Sequence, residues 1–575
     1  MRVIINELDY EFNENLTILE AAKKIGIEIP TFCHHEKLEP RAACRLCVVE
    51  IVGRENLVTA CSTYLEEGMV INTHSQRVIE ARKTNLALLI SDHQSDCLLC
   101  NKMVDCKLLA YANELNLSIT PYYNVPDEKS PYSFTKIDDS SPAFLRNPSR
   151  CIKCGLCVQI CDQMQDIDCI DYRNRGGNFE VGPAFNKTII ETNCTHCGQC
   201  VINCPTCALE EKSEIDEVIK AINDKKKIVI AQVAPSIRVS LGEEFGMPFG
   251  TVVTGKIPTA LKMLGFDYIF DTELGADLTI VEEANELLER LSDKNENRPL
   301  PMFTSCCPSW VKMVEDSYPW LIPNLSSCKS PHQMLGSIVK TYFSAILGCD
   351  SKKIVLVSIM PCLSKKFDIS RPEVKGQVDY SLTTRELGRM IRGAGINFPQ
   401  LLDSLFDNPL GRSSGAGTLF GSSGGVMEAS LRTAYESATG KSLEKIEFKE
   451  LREFTNAKFG EITLGAKKLR FASVNTLSKA KELIEMILSK KIELDFVEVM
   501  ACPHGCIGGG GQPIPSTEEI ILARAKAIYQ SDSKNPIRKS HENPQIKKLY
   551  LEYLERPGSD IAHKLLHTKY YKRTY

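Results

Sequence analysis

Among these 575 residues no apolar run approaches the ~18 that a membrane-spanning helix needs. Membrane integration is therefore not expected. A charge surplus is missing as well: 69 Lys and Arg stand against 73 Asp and Glu, a formal net charge of −4. Without a basic footprint, nucleic acid is not an expected partner. The opening Met1-Arg-Val-Ile-Ile-Asn-Glu-Leu-Asp9 reads as a short strand interrupted by acids, and a cytoplasmic location is the expectation. What the chain has in abundance is cysteine, 24 residues. A disulfide framework explains them poorly, because such frameworks belong to small secreted domains, whereas this length suggests about three or four domains. Clustered Cys-x-x-Cys spacings point to metal instead. Zinc ribbons close each site with two pairs of thiolates, but the runs here are three and four long, which suits iron–sulfur clusters better.

Three cysteine motifs follow short apolar runs. Pro301-Met-Phe-Thr-Ser precedes Cys306 and Cys307, Ile354 to Pro361 precedes Cys362, and Leu494 to Val499 leads to Cys502 and Cys506. Such runs read as strands of open α/β sheets, which place the residues after them at the ligand-binding carboxyl edge. Three distant loops should then converge on one site. Glycines 508–511 fit a backbone that must approach a bulky inorganic object closely. Thr304-Ser-Cys-Cys-Pro-Ser-Trp310, Met360-Pro-Cys-Leu-Ser-Lys-Lys-Phe-Asp368 and Met500-Ala-Cys-Pro-His-Gly-Cys506 resemble the three signatures of [FeFe]-hydrogenases, in order. The resemblance covers nearly the whole chain. It is closest to the large monomeric clostridial form with four accessory iron–sulfur clusters.

Taken in order, residues 2–6 and 10–12 read as a hairpin, and Thr17 opens a helix with a capping box to Glu20 and an inner face of Ile18, Leu19, Ala22 and Ile25. Cys33, Cys44, Cys47 and Cys61 then approach the plant-type [2Fe–2S] ferredoxin layout, a small β-grasp domain, although the first gap is longer than the usual four residues. A structural zinc knuckle is the alternative. A helix over 81–90 runs into His93, Cys97, Cys100 and Cys106. This spacing resembles the [4Fe–4S] site with one histidine and three cysteine ligands shared by these hydrogenases and the large iron–sulfur subunit of respiratory complex I. Residues 121–149 read as a linker. The run Cys151, Cys154, Cys157, Cys161 is answered by Cys194, Cys197, Cys200, Cys204. That doubled C-x2-C-x2-C-x3-C pattern is the two-[4Fe–4S] bacterial ferredoxin, in which each fourth cysteine serves the other cluster. Cys204 should complete the first site and Cys161 the second, with Cys169 and Cys207 spare. From Ser213 strands and helices alternate: a strand from Lys227, a helix over 257–264, a strand over 268–271 and a helix over 278–291. This pattern suggests a two-lobed α/β catalytic domain. The expected organisation is multidomain α+β and α/β, with a [2Fe–2S] domain over 1–80, a histidine-ligated [4Fe–4S] domain over 81–125, a two-[4Fe–4S] domain over 126–212 and a catalytic domain over 213–575. The tail opens with a capping box from Ser516 to Glu519, and its basic helices near His563 and His567 read as solvated.

The accessory motifs take fifteen cysteines, the strand-end motifs five, and Cys169, Cys207, Cys328 and Cys349 remain. Five thiols are one more than a cubane needs. The resemblance implies that Cys307, Cys362, Cys502 and Cys506 hold a [4Fe–4S] cubane, with Cys506 bridging to a two-iron subcluster bearing CO, cyanide and an azadithiolate, a six-iron H-cluster in all. Cys306 is left to move protons in the reaction 2H⁺ + 2e⁻ ⇌ H₂. In the same family, residues matching Glu283, Glu286, Ser326 and Arg290 line a path to that cysteine; the two glutamates are three apart, hence on one helix face. Lys365, directly after Ser364, would donate to a cyanide nitrogen, and Ala234, Pro235 and Ser236 resemble a loop that contacts the cyanides. Met360 and Met500 would pack on the two-iron unit. Ser309, His332 and Leu363 depart from the producing enzymes, which have Gly, Gln and Thr there. The expected partners are ferredoxin or a similar small redox protein, maturation proteins that deliver the subcluster, protons and H₂. Rival readings are a cluster-carrying assembly relative, a non-catalytic electron-transfer subunit and a hydrogen sensor with the same cofactor.

Overall fold

The computed structural model describes residues 1–94, 97–103, 106–117, 136–292, 298–443, 445–465 and 467–573. The chain packs into two units, one of residues 1–140, 145–192 and 203–210, the other of residues 141–144, 193–202 and 211–575.

In the first unit, β1 (Arg2–Ile5) and β2 (Leu8–Glu11) form the expected hairpin, although β2 starts two residues earlier than the sequence suggests. The helix α1 (Ile18–Lys24) is capped as expected: Glu20 N donates to Thr17 Oγ1 at 3.2 Å and Thr17 N to Glu20 Oε2 at 2.8 Å. Its buried residues are Ile18, Leu19, Ala21 and Ala22; Ile25 is the C-cap and only half-buried. With β3 (Val48–Ile51), β4 (Val58–Thr59) and β5 (Val70–Asn72) the sheet order is β2-β1-β5-β3-β4, with β1 and β5 parallel. Val3, Ile5, Ile18, Val49 and Ile71 fill the core beneath it, each contributing roughly 1.5–3 kcal/mol of burial. The helix α2 (Gln76–Ser91) follows. Of the expected linker, 121–135 lie outside the described residues. Its remainder is tied down: Asp138 and Arg146 exchange backbone hydrogen bonds at 2.9 Å, and Asp138 Oδ2 accepts from Ile189 N at 2.9 Å.

The second unit contains two four-stranded sheets. In the first, β6 (Ile228–Val233), β7 (Tyr268–Asp271), β9 (Ile354–Met360) and β10 (Tyr380–Thr383) run parallel in the order β7-β6-β9-β10. All seven residues of β9 are buried, as befits a parallel strand covered on both faces. In the second, β8 (Met302–Phe303), β11 (Ala457–Leu464), β12 (Lys467–Asn475) and β13 (Phe496–Met500) lie in the order β8-β13-β12-β11, with only β11 antiparallel. The first sheet reverses direction of winding between β6 and β9, the switch point at which such sheets bind ligands. There the loops of Ala234 and Cys362 emerge.

Besides β2, and α2, which starts five residues before the expected 81, two further element boundaries differ from expectation. The helix α3 (Thr272–Ser292) begins six residues before residue 278. Its first turns carry acids that spoil an apolar periodicity yet are buried and paired: Glu273 with Arg238 at 2.9 Å, Asp277 with Ser414, Ser540 and Asn543. The tail helix Glu518–Lys534 has Thr517 as N-cap, without the capping box from Ser516. Ser516 Oγ instead accepts from Arg524 Nη1 at 3.1 Å, which takes it out of the cap.

Candidate metal and active centre

Strand ends bring the three signatures together. Residues following β8, β9 and β13 line one cavity of about 750 Å³, with Cys307, Cys362, Cys502 and Cys506 on its wall beside Cys306. Ala234, Pro235, Ser236, Met360, Met500, Lys365, Ser309 and His332 line it too. Burial, then the Cys307 sulfur, pushes the Cys362 thiol up to about 11, and burial raises Cys502 and Cys506 further. Thiols packed this closely repel one another as thiolates and become stable ligands only around a cation. Ser236 Oγ is buried without a hydrogen-bond partner, and the Met360, Met500 and Phe420 side chains make the remaining wall apolar. Four thiols, an orphaned hydroxyl and a lysine at an apolar cavity fit an iron–sulfur cubane carrying a small, strongly accepting appendage.

The glycines act differently from the expectation. A Cβ at Gly508 would meet Pro503 O at 2.2 Å, at Gly509 Pro361 O at 2.3 Å, and at Gly510 Cys197 O at 2.8 Å. Their requirement is backbone against backbone: the segment presses on the Cys362 loop and on the Cys197 loop, where Gln199 Nε2 also donates to Gly508 O at 2.9 Å. Leu363 packs on Gly198 in that same place, since a Cβ there would lie 2.5 Å from Leu363 Cδ1. Ser364 is fully buried with its hydroxyl 3.4 Å from Thr195 O and is not among the lining residues. Thr272, Phe420 and Pro331 line the cavity unforeseen; they sit in no cysteine motif, and only the fold delivers them.

Glu283 and Glu286 are buried on α3, against the general expectation for paired glutamates. Neither Glu283 oxygen has a hydrogen bond. Burial first, then the Glu286 carboxylate, lifts Glu283 to about 8. For Glu286 burial is overcome by the Arg290 guanidinium, 2.6 Å away, so its carboxyl is lowered. Ser326 Oγ donates to Glu286 Oε2 at 3.1 Å. The Cys306 thiol is raised well above its ordinary value by burial and then by Glu283. Cys306, Glu283, Ser326 and Glu286 thus supply a neutral thiol, a neutral acid, a hydroxyl and an ionised acid in one buried region. Lys365 Nζ donates to Cys306 O at 3.2 Å and to Asp368 Oδ2 at 3.3 Å.

In the first unit, Cys33, Cys44, Cys47 and Cys61 are all buried, with Phe32 N and Cys44 N directed at the sulfurs of Cys44 and Cys33 at 3.5 and 3.4 Å. His93 Nδ1 lies 2.9 Å from Arg150 O; a carbonyl there fixes the ring so that Nε2 is the nitrogen to offer a metal. Cys97, Cys100 and Cys106 are half-buried. Cys207, read as spare, lies against Cys100, and that contact lowers the Cys100 thiol to about 6; the one Cys207 S–H is shared between Cys100 and Glu210 Oε2, the latter 2.9 Å away. Cys151, Cys154, Cys157 and Cys204 line one cavity of about 480 Å³. Cys161 Sγ is 3.5 Å from the sulfur of Cys169, the other spare thiol. In the second unit, Cys194 and Cys200 are buried and Cys197 half-buried.

These features define an iron–sulfur enzyme whose open centre lies at the strand ends. The chain belongs to the iron-only hydrogenases: residues 227–510 match the family "Iron only hydrogenase large subunit, C-terminal domain" and residues 518–573 "Iron hydrogenase small subunit". Residues 1–76 match a 2Fe-2S iron–sulfur cluster binding domain and 82–120 the NADH-ubiquinone oxidoreductase-G iron–sulfur binding region. The chain is 44% identical over 573 residues, 97% of each protein, to the NADP-reducing hydrogenase subunit HndD of Solidesulfovibrio fructosivorans. It is 40% identical to iron hydrogenase 1 of Clostridium pasteurianum, covering 99% of this chain and all of that one. Among solved structures, a single-residue variant of the [FeFe]-hydrogenase HydA1 from Chlamydomonas reinhardtii is 41% identical, with a TM-score of 0.57 over 63% of this chain and 99% of that one. The protein is an iron hydrogenase with iron–sulfur cofactors, and its substrates are protons and H₂. No helix among the described residues is long and apolar enough to cross a membrane.

Proposed function

We propose that this hydrogenase works at a six-iron centre held by Cys307, Cys362, Cys502 and Cys506, with Cys306 as its proton donor. The convergence of those four thiols on one cavity, with Cys306 in the same wall, carries the reading. When bound, the two-iron part supplies the open metal position at which the H–H bond is made or broken. The protein does the rest. Ala234, Pro235, Ser236 and Lys365 orient the centre through its accepting ligands, and Met360 and Met500 exclude water from it. Ser364 supports the Cys362 loop from behind. Protons travel between Cys306 and Glu283, then through Ser326 to Glu286, which Arg290 holds in place.

Electrons reach the centre through four accessory clusters: a [2Fe–2S] cluster on Cys33, Cys44, Cys47 and Cys61; a [4Fe–4S] cluster on His93, Cys97, Cys100 and Cys106; and two more on Cys151, Cys154, Cys157, Cys204 and on Cys194, Cys197, Cys200, Cys161. The modules are a β-grasp domain over 1–80, a histidine-ligated domain over 81–125, a two-cluster domain over 126–212 and a two-lobed catalytic domain over 213–575. Cytoplasmic ferredoxin is the proposed electron partner, with dedicated maturation proteins supplying the two-iron part. A second reading of the partner is favoured by the 44% identity to a subunit named as NADP-reducing: the accessory clusters would then serve a nicotinamide-binding subunit.

Infrared spectroscopy of protein matured with the subcluster tests the centre. Bands from bound CO and cyanide should appear on maturation and be absent without it, and Cys506→Ala should abolish them. Their absence from matured protein would refute the reading. Reduction assays with ferredoxin and with NADPH separate the two partners.

A further inference from the structure

The C-terminal helix Asp560–Leu566 and the residue after it bring two histidines, His563 and His567, onto the outer side of α3. His567 Nδ1 lies 2.8 Å from Ser327 Oγ, and Ser327 Oγ lies 3.1 Å from Glu286 Oε2. On its other side His567 Nε2 lies 3.0 Å from Glu282 Oε2. Glu282 is itself held by the Tyr550 hydroxyl at 2.5 Å and by Gly558 N at 3.0 Å. The rings of His563 and His567 are 4.3 Å apart; His563 is half-buried, while the His567 side chain is 6% exposed and meets water only beside His563.

Glu286 needs an outlet, because a relay that ends on a buried acid cannot turn over. Its neighbours differ in what they can pass on. Arg290 binds Glu286 Oε1 through Nε and Nη2 at 3.2 and 2.6 Å, but a guanidinium does not give up a proton in a protein. Cys328 offers a sulfur close to both Glu286 and His567, all three ligand atoms lying within 4.8 Å. That thiol is fully buried and leads nowhere. Ser327 is different, because its one hydroxyl hydrogen can point at the Glu286 carboxylate or at His567 Nδ1, not at both. The two arrangements are the two ends of a proton transfer.

We propose that His567 is the outer member of the proton relay, exchanging protons with Glu286 through the Ser327 hydroxyl and with water beside His563. The inference rests on the relay reading of Glu283 and Glu286. In the outward direction the Glu286 O–H bond breaks as a new O–H bond forms at Ser327. The original Ser327 hydrogen moves to His567 Nδ1, so Glu286 ends as carboxylate, Ser327 as hydroxyl and His567 as imidazolium. No electron moves. The Nε2–H bond of the imidazolium then breaks, its proton passing beside Glu282 to water on the side of His563; the ring turns to bring its unprotonated nitrogen back to Ser327, and Glu282 pairs with the nitrogen that keeps the proton.

The test uses matured full-length enzyme carrying His567→Ala, His567→Gln or Ser327→Ala, with Glu286→Gln alongside. H₂ evolution from a chemical reductant, the solvent deuterium isotope effect and the infrared bands of the centre are measured for each. Turnover in both His567 variants and in Ser327→Ala should fall by about tenfold or more, as for loss of a positioned proton carrier, with a larger isotope effect and unchanged bands. Added imidazole should restore His567→Ala but not Ser327→Ala. Normal turnover of the His567 variants overturns the proposal, as does slowing that imidazole does not relieve and that leaves the isotope effect unchanged. If Glu286→Gln also turns over normally, the inner relay itself is wrong; if Glu286→Gln is slow and His567 variants are not, only the outer step is.

Discussion

His332 Nε2 lies 2.8 Å from Asp368 Oδ2, and the same oxygen accepts from Ser330 Oγ at 2.8 Å and Lys365 Nζ at 3.3 Å. Three donors therefore meet on one atom of a buried carboxylate. Burial, with the Lys365 charge adding, pushes the imidazole down to about 4, so near pH 7 it is neutral. For Asp368 burial is opposed and overcome by Lys365 and His332, which hold the carboxyl well below its usual range. Ser358 Oγ, 3.3 Å from Nδ1, completes the ring's partners. His332 thus spends both nitrogens on the protein and shows the cavity its ring carbons.

A residue that pins Asp368 also sets how much of the Lys365 ammonium is left for the cofactor. Replacing His332 by Gln alters the competition for Asp368 Oδ2, should change how tightly that carboxylate holds Lys365, and should thereby shift the cyanide bands. Together with Ser309→Gly and Leu363→Thr it should change the ratio of oxidation to evolution currents in protein-film voltammetry, since surrounding hydrogen bonds tune metal potentials. Leu363 contributes through its packing on Gly198, beside the Cys197 loop, rather than at the cavity wall. An unchanged ratio with unchanged bands would reject a tuning role for all three.

Iron content gives a second check. Fully matured protein should hold about 20 irons, one [2Fe–2S], three [4Fe–4S] and one six-iron centre. Metal analysis near 10, or zinc at any of the motifs, would remove the accessory assignments. Replacing Cys204 should lose the cluster of Cys151, Cys154 and Cys157, with which it shares a cavity.

Glu283 predicts a pH limb. Its folded carboxyl, lifted from 4.5 to about 8, holds a proton more tightly than in the unfolded chain. Its stabilising contribution is therefore full below about 4.5 and is lost as pH rises through about 8. The proton it can donate disappears over the same upper range. H₂ evolution should decline as pH rises through about 8, and a carboxylic-acid C=O band should be visible at pH 7 in the infrared. Glu283→Gln should remove that band and slow turnover while keeping the CO and cyanide bands. A band that survives the substitution would assign the acid elsewhere.

The site is more legible in the sequence than the fold around it, for a physical reason. Metal ligation would impose spacing, so the motifs Cys151 to Cys161 and Met500 to Cys506 stand out without reference to their neighbours in space. Strands such as Ile354–Met360 are equally plain, because a doubly covered parallel strand is apolar throughout. The start of α3 is not, because its buried acids Glu273 and Asp277 have partners, Arg238 and Ser414, that only tertiary structure supplies. The glycines after Cys506 do mark a close approach, but the object they approach is the carbonyl of Pro361 and the Cys197 loop. His567 reads as a solvated tail residue in sequence, since nothing local links it to Ser327, 240 positions away.

Cys306 and Cys307 provide the sharpest separation of roles. They are adjacent, yet the resemblance makes one a proton donor and the other a ligand, and their surroundings differ accordingly. Cys306 is raised by burial, and further by Glu283 once that acid ionises above about 8, so the thiol keeps its proton until something draws on it. Cys307 Sγ accepts from Ala501 N at 3.5 Å, a backbone donor suited to a thiolate ligand. Cys306→Ser preserves shape but puts a hydroxyl, with an intrinsic pKa far above that of a thiol, in the proton path. Turnover should fall by roughly 10²–10⁴-fold while the infrared bands and iron content stay in place. Cys307→Ser should instead cost iron at the centre and reduce the CO and cyanide bands with it. Cys306→Asp, which restores a group able to exchange protons, should recover part of the lost rate. Near-normal turnover of Cys306→Ser with intact bands would mean that protons reach the centre past some residue other than Cys306, and the Glu283 limb of the pH profile would then have to be traced to that residue.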